Sequence, residues 1–235
     1  LLAELGRRGV FYVVVKALTT RLTLLIWRPK VVGRENIPTR GPVILASNHS
    51  SFVDSLLIPM VSPRRVAFIA KAEYFETKGV KGRMMKAFFT AVGAIPVRRG
   101  EHRAAMDSLD QALSVINSGG AFVIYPEGTR SLDGRLYRGR VGIGWLALKS
   151  GAPIVPVSVT GTRHVLPVGA KIPKIVPVSV TFGEPIDALK LDLPGEPTAE
   201  NAKARRAVTD AIIDEIQKLS GQEYAGVYNE RPAEL

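Results

Sequence analysis

No cysteine occurs among the 235 residues. That excludes disulfides and a thiolate nucleophile, and it agrees with a reducing compartment. Acidic residues are also few: 21 Asp and Glu stand against 32 Lys and Arg, giving a formal charge of +11. Such a balance calls for anionic partners. The usual marks of nucleic-acid binding are missing, however. The cations are scattered rather than interleaved with aromatics in a stripe, and no helix-turn-helix, RNA-binding aromatic motif or zinc spacing is visible. Nucleic acid is set aside, leaving phosphorylated metabolites and anionic lipid surfaces. Long apolar runs are absent too. Residues 10–15 and 22–27 form the apolar runs of the amino-terminal stretch, far short of the ~20 residues that cross a bilayer. Both are too interrupted for the core of a signal peptide. No segment is long and polar enough for a disordered linker, so a single domain is expected.

What is present falls into short apolar runs alternating with amphipathic stretches. Residues 42–46, 65–70, 93–97, 121–125, 153–160 and 175–182 read as strands, being short, β-branched and bounded by glycine, proline or charge. Residues 82–91, 103–116, a stretch through 145–148 and 199–219 carry helical spacing. This alternation predicts an α/β fold, a single domain with a mostly parallel central sheet covered by helices. A basic helical segment precedes it. There Arg7, Arg8, Lys16, Arg21, Arg28, Lys30, Arg34 and Arg40 face only Glu4 and Glu35. Cations flanking apolar runs with Trp27 and Tyr12 suit a helix lying in a membrane interface; an ordinary helix packed on the domain has the same pattern. The sequence starts at Leu1 rather than Met, which leaves room for residues upstream.

In a parallel sheet, ligands bind beyond the carboxyl ends of the strands. His49, Lys71, Arg99 and the stretch Glu127-Gly128-Thr129-Arg130 each follow directly after an expected strand. Three of these four places carry a cation, and the first carries an imidazole with Asp54 five residues on. A carboxylate beside an imidazole fixes its tautomer and stabilises the imidazolium that forms when it removes a proton from an alcohol. Ser51-x-x-Asp54 also fits a helix capping box. The helix at 82–91, with Met84, Met85, Phe88 and Phe89, reads as core packing or as a wall for an acyl chain.

Taken in order, these segments resemble the glycerolipid acyltransferase family, the lysophosphatidate and glycerol-3-phosphate acyltransferases. Asn48-His49 through Asp54 is similar to its His-x-x-x-x-Asp block. Gly93-Ala94-Ile95-Pro96-Val97-Arg98-Arg99 is similar to the second block, with its terminal arginine on Arg99, although Arg98 stands beside it. Pro126-Glu127-Gly128-Thr129-Arg130-Ser131 matches the third. Ala152-Pro153-Ile154-Val155-Pro156-Val157 resembles the fourth, and Phe182-Gly183-Glu184-Pro185-Ile186 the closing segment. Arg140 stands where many relatives carry lysine.

The resemblance implies transfer of a fatty acyl group from a thioester, acyl-CoA or acyl carrier protein, to a hydroxyl of a phosphorylated glycerol acceptor. Lysophosphatidate is the leading acceptor and glycerol 3-phosphate the alternative. His49 is expected as base and Asp54 as its orienting carboxylate, with backbone N–H groups near the motif stabilising the oxyanion. Arg99 and Arg130 are expected on the acceptor phosphate and Lys71 as a weaker ligand. Gly128 and Thr129 complete the binding loop, and Glu127 is expected to meet a glycerol hydroxyl or an arginine. No metal or resident cofactor is implied. Residues 1–30 are expected as an amphipathic membrane-associating segment and 31–235 as the acyltransferase domain, peripheral at the cytoplasmic face of an anionic membrane. A non-catalytic lipid-binding protein and a lipid hydrolase are the rival classes.

Overall fold

Both faces of the central strand are covered, which is why its sequence shows no alternation of polar and apolar residues. The computed structural model describes residues 17, 21, 25–97, 102–167 and 172–230. The strands are β1 (Lys30–Val32), β2 (Val43–Ser47), β3 (Val66–Lys71), β4 (Ala94–Val97), β5 (Ala121–Ile124), β6 (Ile154–Thr160) and β7 (Ser179–Phe182). They form one sheet in the order β1-β7-β6-β2-β5-β3-β4. The β6–β7 pair is antiparallel, and every other neighbouring pair is parallel. All five residues of β2 are buried.

Helices α1 (Asp54–Val61), α2 (Glu73–Glu76), α3 (Gly79–Ala91), α4 (His102–Asn117), α5 (Gly142–Ser150), α6 (Thr162–Val165) and α7 (Ala202–Ser220) follow in chain order. The period-two geometry of the strands divides the core. Val43 and Leu45 turn to one face, with Leu57, Ile58 and Val61 of α1 and Phe89 of α3. Ile44 and Ala46 turn to the other, with Ile116 of α4, Ile143 and Leu146 of α5, and Val208, Ile212 and Ile216 of α7. Helix α7 is capped by Asn201, whose Oδ1 accepts from the N–H groups of Lys203 and Ala204. It lies so close to α5 that a Cβ on Gly144 would stand 2.1 Å from the carbonyl oxygen of Arg205.

The connections fix where a ligand can enter. After β2 the chain runs through α1 to β3, on the β5 side of the sheet; after β5 it runs through α5 to β6, on the other side. β2 and β5 are neighbours. Their carboxyl ends therefore diverge to opposite faces, which opens the crevice characteristic of a switch point in an α/β sheet.

Several expectations are adjusted by the structure. Strand β1 lay outside the expected strands; it forms by pairing with β7, 149 residues distant at Lys30↔Ser179. The expected strand at 175–182 begins only at Ser179, since Pro173 and Pro177 remove donors from the stretch before it. Pro156 lies inside β6 without breaking it. Its carbonyl accepts from Gly183, one residue past the end of β7, so its nitrogen faces a place where no ladder bond is required. Of the expected segment 1–30, residues 1–16, 18–20 and 22–24 lie outside the described residues. Trp27 at its end packs against the core and donates its indole N–H to the Lys174 carbonyl at 2.9 Å. Among the described residues no helix is long and apolar enough to cross a membrane.

Candidate active site

The turn between β2 and α1 presents His49 above the crevice. Its Nδ1 lies 3.0 Å from Asp54 Oδ2. The same oxygen accepts the N–H groups of Ser50 at 2.7 Å and Ser51 at 2.8 Å. An oxygen already accepting two amides is an acceptor toward the ring as well, so Nδ1 carries the hydrogen and Nε2 keeps its lone pair. Asp54 is fully buried, whereas the imidazole is 14 % exposed. The imidazole is thus open on one side while its partner is shielded from bulk water.

The capping geometry and the catalytic geometry coexist. Asp54 bonds the Ser51 N–H in the manner of a capping box, but Ser51 Oγ accepts from Val53 rather than from Asp54. One carboxylate oxygen thus starts the helix and orients the imidazole.

The imidazole is held on its face as well. Tyr125, directly after β5, stacks on it with ring centroids 3.9 Å apart and planes 17° apart. The tyrosine hydroxyl is 3.0 Å from Ser55 Oγ on α1. Burial, reinforced by the negative charge of Asp54, pushes the Tyr125 phenol well above its ordinary range. It remains a neutral ring.

Both backbone polar groups of His49 are bonded by the loop after β5. The His49 N–H donates to Glu127 Oε1 at 2.9 Å, and the Ser131 N–H donates to the His49 carbonyl at 2.7 Å. The other oxygen of Glu127 accepts from the Tyr137 N–H at 3.0 Å. In the folded chain Glu127 is held by two backbone amides rather than by an arginine. Burial pushes its carboxyl up to about 7, against the opposing pull of those two bonds, with Asp54 and Asp133 adding a smaller upward push. The expectation for the oxyanion changes too. The N–H groups of His49, Ser50, Ser51 and Val53 are already engaged, so within this turn only Phe52 retains an N–H that these bonds do not use.

Asn48 closes the end of the sheet. Its Oδ1 accepts the Val159 N–H at 2.8 Å and its Nδ2 donates to the Val159 carbonyl at 2.9 Å. A second N–H of the same amide reaches Gln222 Oε1 at 2.8 Å.

The cations sit differently. Lys71 ends β3, at the same end of the sheet as His49, and is exposed. Arg130 is exposed beside Ser131, and Thr129 is partly so. Among the described residues neither the Lys71 ammonium nor the Arg130 guanidinium has an ion-pair partner. Arg98 and Arg99 lie outside the described residues; Val97 before them pairs with Lys71. Gly128 has φ of +76°, and a Cβ there would stand 2.9 Å from Cδ and Nε of Arg140. The left-handed backbone favours glycine at that turn, and any larger residue would also displace the Arg140 side chain. The Arg140 side chain runs past Gly128, with its guanidinium toward Tyr228 and Asn229. In the same loop, burial alone would raise the Asp133 carboxyl, but bonds from Arg135, Tyr137 and Ser131 hold it well below the usual range.

The apolar helix face divides. Phe89 is buried and stacks on Tyr74 at 4.8 Å, with Phe52 of the catalytic turn edge-on to both. Met85 and Phe88 pack against that core, while Met84 is 69 % exposed. Among the described residues no group of three or more His, Asp and Glu is placed to hold a metal.

Comparison with known proteins agrees with this arrangement. A family model described as Acyltransferase matches residues 28–160, more than half of the chain. The chloroplastic 1-acyl-sn-glycerol-3-phosphate acyltransferase of Brassica napus is 29% identical over 82% of this chain and 55% of its own length. The enzyme of the same name from Limnanthes douglasii is 32% identical over 67% of this chain and 54% of its own length. The chain thus spans about half the length of these plant relatives. The Bacillus subtilis relative of that name is 28% identical over 82% of this chain and 88% of its own. The crystal structure of the 1-acyl-sn-glycerophosphate acyltransferase PlsC from Thermotoga maritima superposes with a TM-score of 0.67, at 25% identity, covering 92% of this chain and 82% of that one. The match to more than half of the chain and the shared fold lead to one conclusion: the chain belongs to the Acyltransferase family.

Proposed function

We propose that this protein moves a fatty acyl group from a thioester, acyl-CoA or acyl carrier protein, to the free hydroxyl of lysophosphatidate. The observation that carries the reading is the His49–Asp54 pair at 3.0 Å, with Nε2 left as the acceptor of a proton. A lipid-binding protein has no use for an imidazole oriented in this way. The names of the relatives favour lysophosphatidate over glycerol 3-phosphate.

The steps follow from the groups present. His49 Nε2 takes the proton of the acceptor hydroxyl as its oxygen attacks the thioester carbonyl carbon. Asp54 stabilises the imidazolium across Nδ1. The tetrahedral intermediate collapses, the C–S bond breaks, and the imidazolium returns its proton to the departing thiolate. An ester and a free thiol result. Arg130 and Arg99 hold the acceptor phosphate through charge-assisted bonds, with Lys71 adding a point charge and Gly128 and Thr129 shaping the loop. Glu127 braces the backbone of the base. Phe52, Tyr74 and Phe88 offer an apolar wall to the acyl chain. The basic amino-terminal segment lays the protein on an anionic membrane, at its cytoplasmic face.

The test is thiol release from palmitoyl-CoA with lysophosphatidate, with glycerol 3-phosphate, and with no acceptor. The protein has no cysteine, so all thiol detected is product. Release that requires lysophosphatidate supports the assignment. Release that is equal without acceptor makes the protein a thioesterase and sinks it.

A further inference from the structure

We infer that the segment 221–230, beyond the residues matched by the family, is a strap that positions both halves of the site through two carboxamides, Gln222 and Asn229; for Asn229 this rests on the reading of Arg130 given above. The chain leaves α7 at Gly221, in the left-handed conformation with φ of 65°, and turns back along the loop that follows β5. There it pairs with that loop in a short ladder. Leu136 N–H donates to the Glu223 carbonyl, Ala225 N–H to the Leu136 carbonyl, and Arg138 N–H to the Val227 carbonyl, at 2.8, 2.8 and 2.9 Å. Leu136 is fully buried beneath it. The guanidinium carbons of Arg138 and Arg140 stand 5.2 and 5.6 Å from the centre of the Tyr228 ring.

Two side chains of the strap reach the groups that matter. Gln222 accepts from Asn48 Nδ2 at 2.8 Å and donates to the Gly134 carbonyl at 2.7 Å. It ties the residue before the base to the loop that braces the base. Asn48 is 1% exposed, so without Gln222 one of its N–H groups is left buried and unpaired. The carboxamide relieves that cost only by turning, and turning breaks its grip on Val159. His49 is the next residue, so the error is passed to the imidazole. Asn229 acts at the other end. Its Nδ2 donates to the Arg130 carbonyl at 3.1 Å, and its own carbonyl accepts from Arg140 at 3.3 Å. It fixes the backbone from which projects a guanidinium with no ion-pair partner among the described residues.

The two amides therefore govern different kinetic constants. A base displaced by a fraction of an ångström loses turnover; a displaced phosphate ligand loses affinity. The experiment uses the full chain, palmitoyl-CoA and lysophosphatidate, with a melting curve for each variant. Gln222→Ala should lower kcat about tenfold or more, within the range of misplaced catalytic groups, and leave KM for lysophosphatidate near its original value. Gln222→Met keeps the length without the amide and should behave alike, which guards against a variant that fails to fold. Asn229→Ala should raise KM and leave kcat near its original value. Val227→Ala, whose side chain is exposed and whose tie runs through its carbonyl, should change neither. The strap is not a positioning device if folded Gln222→Ala and Gln222→Met both turn over normally, or if Gln222 and Asn229 variants shift the same constant. Arg130→Ala separates the two readings. If it leaves KM unchanged, the phosphate assignment fails, and the Gln222 variants alone then decide the strap.

Discussion

The two halves of the site are built on opposite plans. At His49, the ring, the N–H and the carbonyl each have a partner, drawn from Asp54, Tyr125, Glu127 and Ser131. At Arg130 and Lys71 the backbone is placed, while the charged ends stand exposed with no partner among the described residues. The proposed roles of the two halves account for the difference. A general base that has to rotate into position adds that rotation to the barrier, so its geometry is set before substrate arrives. A cation that will bind phosphate gains by remaining unpaired, because an internal carboxylate would have to be displaced first.

The contrast is broken most severely at the base. His49→Ala should lower kcat by roughly 10²–10⁴-fold, the usual worth of a general base, with the fold retained in circular dichroism. Near-normal turnover in that folded variant would remove the mechanism. Asp54→Asn should lower kcat by somewhat less and also lower the melting temperature, since the same oxygen holds two amides at the start of α1. A loss of activity with an unchanged melt would show the capping role to be negligible.

At the open half the effect should fall on binding. Arg130→Ala should raise KM for lysophosphatidate by about 10–150-fold, the equivalent of one charge-assisted bond, with kcat changed far less. Arg130→Lys should recover only part, because an ammonium lacks the planar fork. Monoacylglycerol, which has no phosphate, should be a poor acceptor that loses little further in Arg130→Ala. Equal losses on both acceptors would refute the phosphate assignment and make Arg130 a structural or acyl-donor residue.

The smallest effect concerns the brace. Burial lifts the Glu127 carboxyl to about 7 in the folded chain, above the ~4.3 of an unfolded glutamate. Between those values the folded state binds more protons than the unfolded one. The contribution to stability is therefore complete below about pH 4 and is lost as pH rises through 7, a change on the order of 3–4 kcal/mol. Glu127→Ala should flatten this part of the pH dependence in urea unfolding between pH 4 and 8. If wild type and variant run parallel, the carboxyl ionises normally and the brace is a permanent anion.

The sequence exposed the tied half and the open half unequally. Uncharged runs at 42–46 and 121–125 located the two central strands, and from them the places of His49, Asp54 and the Glu127–Arg130 loop followed. What it did not expose were partners remote along the chain. Glu127 meets His49 across 78 positions, and Asn48 meets Gln222 across 174. The sequence placed Glu127 in a binding loop, and only the folded turn brings two amides to it. The stack of Tyr125 on His49 was hidden for a similar reason, since the last residue of a strand pattern carries no mark of what it faces. The tail at 221–230 has no period of either kind; its order comes from pairing with a loop. Strand β1 is three residues long and owes its existence to β7.

One consequence extends to design. The side chain of Asn48 bonds both polar groups of Val159, a pair of bonds that a continuing parallel strand would supply from two residues. The sheet thus continues by one residue after the main chain has turned away to carry His49. Only a carboxamide of this length offers a donor and an acceptor at that reach: aspartate lacks the donor, and glutamine carries an extra methylene. Anyone transplanting the His-x-x-x-x-Asp turn onto another parallel sheet should move eight residues rather than six, from Ser47 to Asp54. The recipient must also have a neighbouring strand that ends in a peptide left free to meet the asparagine.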